Sequence, residues 1–263
     1  MRNTDINIKD YDLIVIGAGS GGVRAARIAA NYGAKVAIVE SVRVGGTCVL
    51  RGCVPKKLLV YGSHIAHDLE DAAGFGWNIG SIEHDWVKLI EAKNNELDRL
   101  NSIYLNLLSK VEIITGFGKI IGNNEVEVNG SIIRANKILI AVGGKSFLPK
   151  IKGIDLCINS DQALDLKALP KKIVINGGGY IALEFASIFA SFGSDVTLIY
   201  RGKHILRGFD ADISNLITEE YIKNNIKILT ETEIISVSKT NHDLLVTLSN
   251  NEEIISNEVM FAT

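Results

Sequence analysis

Cys48 and Cys53 stand with four residues between them in the run GGTCVLRGCVPKK, residues 45–57. Two thiols this close, set among glycines, can cycle between dithiol and disulfide and so carry two electrons. That role calls for one thiolate at the start of a helix, where the helix dipole favours the anion. Gly52-Cys53-Val54-Pro55 fits: Cys53 lies at a helix entry, and proline is tolerated in a first turn. Zinc is the other use of paired cysteines, but a structural site wants four ligands. Only His64 and His67 lie near in sequence, and they read as helix-surface residues, so no metal site is expected. Cys157 is isolated and reads as a small buried apolar residue. Three cysteines are too few for a structural disulfide framework.

Two glycine-rich turns flank this pair in sequence. Residues 17–22, GAGSGG, follow an apolar strand at 11–16 and precede a helix at 23–32; a second strand, 35–39, is closed by Glu40. In this setting Gly17 allows the tight turn, Gly19 lets the backbone approach a pyrophosphate, and Gly22 lets helix and strand pack closely. The phosphates would rest on free N–H groups at the positive helix end. Glu40 is placed to hydrogen-bond a ribose hydroxyl, and an acid there repels a 2′-phosphate, so this turn suits FAD or NAD. The second turn has Gly177, Gly179 and Ala182 in the same three roles. The strand after it ends without an acid, in Tyr200-Arg201-Gly202-Lys203-His204-Ile205-Leu206-Arg207. Arg201 and Arg207 could hold a 2′-phosphate by charge-assisted hydrogen bonds, which predicts NADP there.

The elements that position these residues are an α/β set read twice. Residues 53–73 predict a helix stopped at Gly74-Phe75-Gly76. An amphipathic helix covers 85–108, a β-meander 111–133, and a strand 137–142 ended by Gly143-Gly144. The pattern restarts with a strand at 172–176, a helix at 183–192 and a strand at 195–200. A helix at 210–225 follows, then short strands over 226–255 and a last one at 258–263. The fold expected is α/β, two Rossmann-like dinucleotide-binding domains with parallel sheets and β-meander insertions, residues 1–150 and 151–263, divided near 149–153. With 263 residues, a net charge of −2 and a pI near 6.2, nothing points to a nucleic-acid or anionic-membrane partner. The longest apolar runs are far short of a membrane span, and the N-terminal MRNTDINIKDYD is polar with no signal core, so a cytoplasmic protein is expected.

With these residues in view, the chain resembles the pyridine nucleotide–disulfide oxidoreductases, and within them the glutathione reductase branch. The resemblance runs from about residue 11 to the end and rests on the redox box GGTCxxxGCxPxK at 45–57 and on GGGYIALE at 177–184. It implies that electrons pass from NADPH to FAD, then to a Cys48–Cys53 disulfide, then to glutathione disulfide. Cys53 would be the flavin-proximal thiolate and Cys48 the interchange thiol. Lys56 would sit near the flavin in a buried pair with Glu184, and Tyr180 would cover the flavin until nicotinamide displaces it. Ser20, Glu40 and Thr47 would contact FAD, and Arg201 and Arg207 the 2′-phosphate. Gly21, Gly46, Gly143 and Ile181 complete the cofactor set. Arg27 and Tyr104 match positions that contact glutathione.

The resemblance also implies what is missing. The family continues past residue 263 with a further flavin-binding segment and an interface domain that builds a homodimer. The first domain is therefore expected to be incomplete, and the chain inactive alone. No histidine here takes the family's proton-transfer role. Two other readings stand beside this one. A dihydrolipoamide or mercuric reductase-like relative is one, against whose NAD-using members Arg201 and Arg207 argue. The other is a non-catalytic nucleotide-binding remnant, against which the intact Cys48, Cys53, Lys56 and Glu184 argue.

Overall fold

The run Leu13-Ile14-Val15-Ile16 is apolar at every position because the strand it forms is covered on both faces. Ile14 and Ile16 join one buried cluster, and Val15 joins another on the opposite side. The computed structural model describes residues 9–263. The polar N-terminal stretch, read above as lacking a signal core, lies outside the described residues over positions 1–8. The chain divides into two units. One comprises the chain up to Pro55 together with Asn94–Gly144; the other comprises Lys56–Lys93 and Lys145–Thr263. The last crossing, after Gly144, lies a few residues before the boundary expected near 149–153, and residues 56–93 group with the C-terminal part.

The first unit is built from β1 (Lys9–Ile16), α1 (Ser20–Asn31), β2 (Val36–Glu40), the short α2 (Gly46–Leu50), the first residues of α3 (Cys53–Asp71) and the later turns of α4 (Trp86–Leu107). β3 (Glu112–Thr115), β4 (Gly118–Gly122), β5 (Glu125–Val128) and β6 (Ser131–Ile140) follow. One sheet holds all six strands in the order β3-β2-β1-β6-β5-β4. β3, β2, β1 and β6 run parallel, while β4 and β5 add an antiparallel edge. The meander and the strand at 137–142, expected as separate pieces, are joined: β6 pairs with β5 along its first residues and with β1 along most of its length. Val15, Val23, Ala26, Ala30 and Ile38 form the core under α1.

The second unit takes most of α3 and the first turns of α4. It adds α5 (Ser160–Ala163), β7 (Lys172–Asn176), α6 (Tyr180–Ser191), β8 (Asp195–Ile199), α7 (Ala211–Lys223), β9 (Lys227–Leu229), β10 (Ile234–Lys239), β11 (Leu244–Leu248), β12 (Glu253–Ser256) and β13 (Glu258–Phe261). A four-stranded parallel sheet has the order β13-β7-β8-β9, and β10-β11-β12 form a separate antiparallel sheet. Leu59 of α3 and Trp86 and Ile90 of α4 are buried in one core with Phe185, Ile188 and Phe189 of α6. That shared core is why residues 56–93 belong here. Among the described residues no helix is long and apolar enough to cross a membrane.

Candidate redox and nucleotide-binding sites

The two glycine turns have the same backbone construction. Gly17 N–H donates to Val39 O at 2.8 Å and Gly177 N–H to Ile199 O at 2.9 Å. Ala141 N–H reaches Ile16 O at 2.8 Å, and Ala262 N–H reaches Asn176 O at 2.9 Å. Each first glycine has positive φ, and a Cβ there would meet the carbonyl of Ala141 at 2.3 Å or of Ala262 at 2.5 Å. The helices that follow begin earlier than the sequence suggests, at Ser20 and Tyr180 rather than at 23 and 183. Their N-caps are Gly19 and Gly179, with no side-chain cap and no acid in the first turn. By contrast, Asp210 caps α7 and Asn159 caps α5. Uncapped N–H groups at a positive helix end, beside glycines whose Cβ positions at 21 and 179 would meet nothing within 4 Å, form a cradle for an anionic group. The residues present fit a dinucleotide pyrophosphate at each turn.

Glu40 ends β2, where the sequence puts it. Its two oxygens accept Ala18 N–H at 2.8 Å and Val42 N–H at 2.9 Å, so the carboxylate is oriented by backbone. A carboxylate has lone pairs beyond these two for ribose hydroxyls. Ser20 and Thr47 are exposed on the first turns of α1 and α2, and Gly143 follows β6 in an open position with φ +70°.

The redox pair is set against the first turn by an element the sequence reading missed. α2 is only five residues long and carries Cys48. Gly45 N–H donates to Ala18 O at 2.9 Å, and Gly46 lies so close to Gly19 that a Cβ would come 2.4 Å from its Cα. Both glycines have positive φ, 126° and 66°. This pair of left-handed residues was the signal available for a sharp approach. Cys53 is exposed and opens α3, with Pro55 buried in its first turn. Cys48 and Cys53 are both free thiols here, the dithiol form of the pair. Cys48 hydrogen-bonds the Cys53 side chain, which holds the Cys48 thiol above its ordinary range; burial adds to this, and the Cys53 backbone N–H opposes it.

In the second unit Lys56 Nζ donates to Glu184 Oε1 at 2.7 Å. The pair is half-buried where the resemblance implies a buried one: the two side chains keep 26 % and 35 % of their surface. Tyr221, absent from the sequence reading, donates its hydroxyl to Leu183 O. Burial pushes its phenol up to about 12, with the Glu184 carboxylate contributing. Tyr180 and Ile181 open α6 and are exposed, Tyr180 by 60 %. Arg201 and Arg207 are exposed, and Arg207 lines a cleft of about 560 Å³ with Tyr200, Lys203 and His204. In the first unit Arg27 is half-buried on α1, and Tyr104 of α4 packs on the cluster containing Val23 and Ala26 of that helix.

A family model described as pyridine nucleotide-disulphide oxidoreductase matches residues 11–263. The chain is 47 % identical over 256 residues to a glutathione reductase of Burkholderia cepacia, covering 97 % of this chain and 57 % of that protein. It is 46 % identical to one from a Nostoc species, covering 97 % and 56 %. It is 47 % identical to the chloroplastic/mitochondrial glutathione reductase of Pisum sativum, covering 97 % and 49 %. The chain spans about half the length of the curated relatives it matches. Among solved structures, the Cu(II) complex of the HOCl-induced flavoprotein disulfide reductase RclA of Escherichia coli superposes with a TM-score of 0.87 at 28 % identity, over 97 % of this chain and 57 % of that one. Duplicated glycine turns, a thiol pair seated on the first of them and a match along nearly the whole chain lead to one assignment: the chain belongs to the pyridine nucleotide-disulphide oxidoreductase family.

Proposed function

We propose that this chain carries the nucleotide-binding and dithiol parts of an NADPH-dependent, FAD-containing reductase of glutathione disulfide. The observation that supports it most is the seating of α2 on the first glycine turn: Gly46 against Gly19 brings the Cys48–Cys53 pair to the mouth of a dinucleotide cradle. In this reading the first unit holds FAD, with Gly17, Gly19, Ser20, Gly21, Gly22, Glu40, Gly46, Thr47 and Gly143 around it. The second glycine turn, with Ile181, Arg201 and Arg207, holds NADPH. FAD, when bound, supplies the two-electron relay between nicotinamide and sulfur.

The chain's own residues do the thiol chemistry. Cys48 attacks one sulfur of glutathione disulfide as its thiolate, the S–S bond breaks, and the glutathione thiolate that leaves takes up the proton Cys48 gave. Cys53 then attacks the Cys48 sulfur, the second glutathione leaves, and a Cys48–Cys53 disulfide is formed. Two electrons from NADPH return that disulfide to the dithiol, so NADPH, a proton and glutathione disulfide become NADP⁺ and two glutathiones. Lys56 presents a cation oriented by Glu184, and Tyr180, exposed at the start of α6, is the residue assigned to the nicotinamide. Arg27 and Tyr104 are the residues assigned to the glutathione side.

The test is an absorption spectrum of the purified chain together with NADPH and NADH titrations. A yellow protein that binds NADPH in preference to NADH is the expected result. A colourless protein after reconstitution with FAD would overturn the flavin assignment, and equal binding of the two nucleotides would overturn the NADPH assignment.

A further inference from the structure

The matched backbone bonds of the two turns put Tyr200 in the place of Glu40, and Gly178 in the place of Ala18. In the first turn the strand-end residue reaches back by a hydrogen bond, Ala18 N–H to Glu40 Oε2. In the second it reaches back with a ring. A Cβ on Gly178 would lie 2.5 Å from Tyr200 Cγ, so the root of the ring rests on the glycine turn itself. The other end rests on Gly202 in the basic loop, where a Cβ would lie 2.5 Å from Cε1 and 3.0 Å from the hydroxyl. The same loop is tied back to the same glycine: Leu206 N–H donates to Gly178 O at 2.7 Å. Leu206 is buried in a left-handed conformation, φ +55°, which a leucine adopts only when its surroundings impose it. Ser214 of α7 fixes the neighbouring turn by donating to Ile205 O at 2.7 Å.

We infer that Tyr200 is a positioning residue for cofactor selectivity: its ring, seated on Gly178 and Gly202, sets the stand of the loop that carries Arg201 and Arg207 relative to the phosphate cradle. It also removes from the strand end the carboxylate that would take the hydroxyls of an unphosphorylated ribose and repel a 2′-phosphate. The ligand class is an adenosine nucleotide bearing a 2′-phosphate. The inference rests on the reading of this loop as the 2′-phosphate site.

The test is calorimetric binding of 2′,5′-ADP and of 5′-AMP to the whole chain, for the wild type, Tyr200→Phe, Tyr200→Leu, Gly178→Ala and the Tyr200→Leu/Gly178→Ala double variant, each checked for folding by thermal melting. The wild type should prefer 2′,5′-ADP by about tenfold or more, and Tyr200→Phe should keep that ratio. Tyr200→Leu should bring it down about tenfold, toward parity, while 5′-AMP binding changes little, and Gly178→Ala should lower the ratio in the same direction. Gly178→Ala should lower the ratio of the Tyr200→Leu chain less than that of the wild type, because both changes disturb the same side chain's seat on the turn. A folded Tyr200→Leu chain with the wild-type ratio would overturn the role of the ring, whatever Gly178→Ala does. A wild-type ratio near one would overturn the 2′-phosphate reading, and this inference with it.

Discussion

At the scale of single residues, the third position of each glycine turn shows how closely backbone spacing selects a side chain. A Cβ at Gly22 would lie 1.9 Å from Gly17 O, whereas Ala182 at the matching position carries its Cβ fully buried, 3.1 Å from where a Cβ on Gly177 would stand. Gly22→Ala must therefore push α1 off β1. It should destabilise the first unit by about 1–3 kcal/mol, read as a lower urea midpoint, while Ala182→Gly costs only about 1 kcal/mol for a glycine in a helix. The three thiols are ranked by their surroundings. Cys53 is exposed, Cys48 is half-buried and kept protonated by Cys53, and Cys157 is buried with its thiol pushed up to about 12. Mass-spectrometric alkylation at neutral pH should thus modify Cys53 before Cys48 and leave Cys157 untouched until the chain unfolds; early labelling of Cys157 would contradict its burial. The sign of its pH linkage follows. The folded chain holds the Cys157 proton more tightly than the unfolded one, so its contribution is fully present below about pH 9 and is lost as pH rises toward 12. Cys157→Ala should flatten the alkaline fall of the urea midpoint.

At the scale of elements, what was legible in the sequence was whatever repeats a periodic pattern or a strand-turn-helix order. β1, β2, β7 and β8 fall where the apolar runs lie, and Glu40 ends its strand. Three features were not legible, each for a physical reason. α1 and α6 start inside their glycine runs, because the residues there take helical backbone while offering their free N–H groups outward. β6 reads as two pieces because Ala135-Asn136 resembles a turn; in the fold Asn124 donates from its side-chain amide to Ala135 O and Asn136 O, and the strand runs through. α2 is too short to show a helical period, and its placement depends on Gly45 and Gly46 holding positive φ. That dependence can be tested. Gly46→Ala brings a left-handed alanine, costing about 1–2 kcal/mol, and a Cβ only 2.4 Å from Gly19 Cα. It should lower bound flavin per chain, measured by absorbance, out of proportion to any loss of thermal stability. Unchanged flavin content would mean that α2 does not shape the cradle.

At the scale of the whole molecule, the division of the chain follows from a few side chains that tie residues 56–93 to the C-terminal unit. Trp86 is buried, donates its indole N–H to Leu166 O at 2.7 Å, and packs near Phe189 and Phe192 with ring centroids 6.1 and 5.5 Å away. Two turns on, Lys93 has a fully buried side chain and reaches Asp165 Oδ1 at 2.7 Å, while Asp165 is 58 % exposed. A buried ammonium that loses a carboxylate keeps its desolvation cost with less to offset it, whereas an apolar chain of similar length carries no charge to desolvate. Asp165→Ala should therefore destabilise the second unit by about 1–3 kcal/mol, below the range for a fully buried pair because water already screens Asp165. Lys93→Met should cost under about 1 kcal/mol. In a Trp77→Phe background Trp86 is the only indole, so its fluorescence in urea reports the unfolding of this unit. If Lys93→Met proved the more damaging change, the charge itself, rather than the filling of its site, would be what holds α4 to the loop at Asp165 and Leu166.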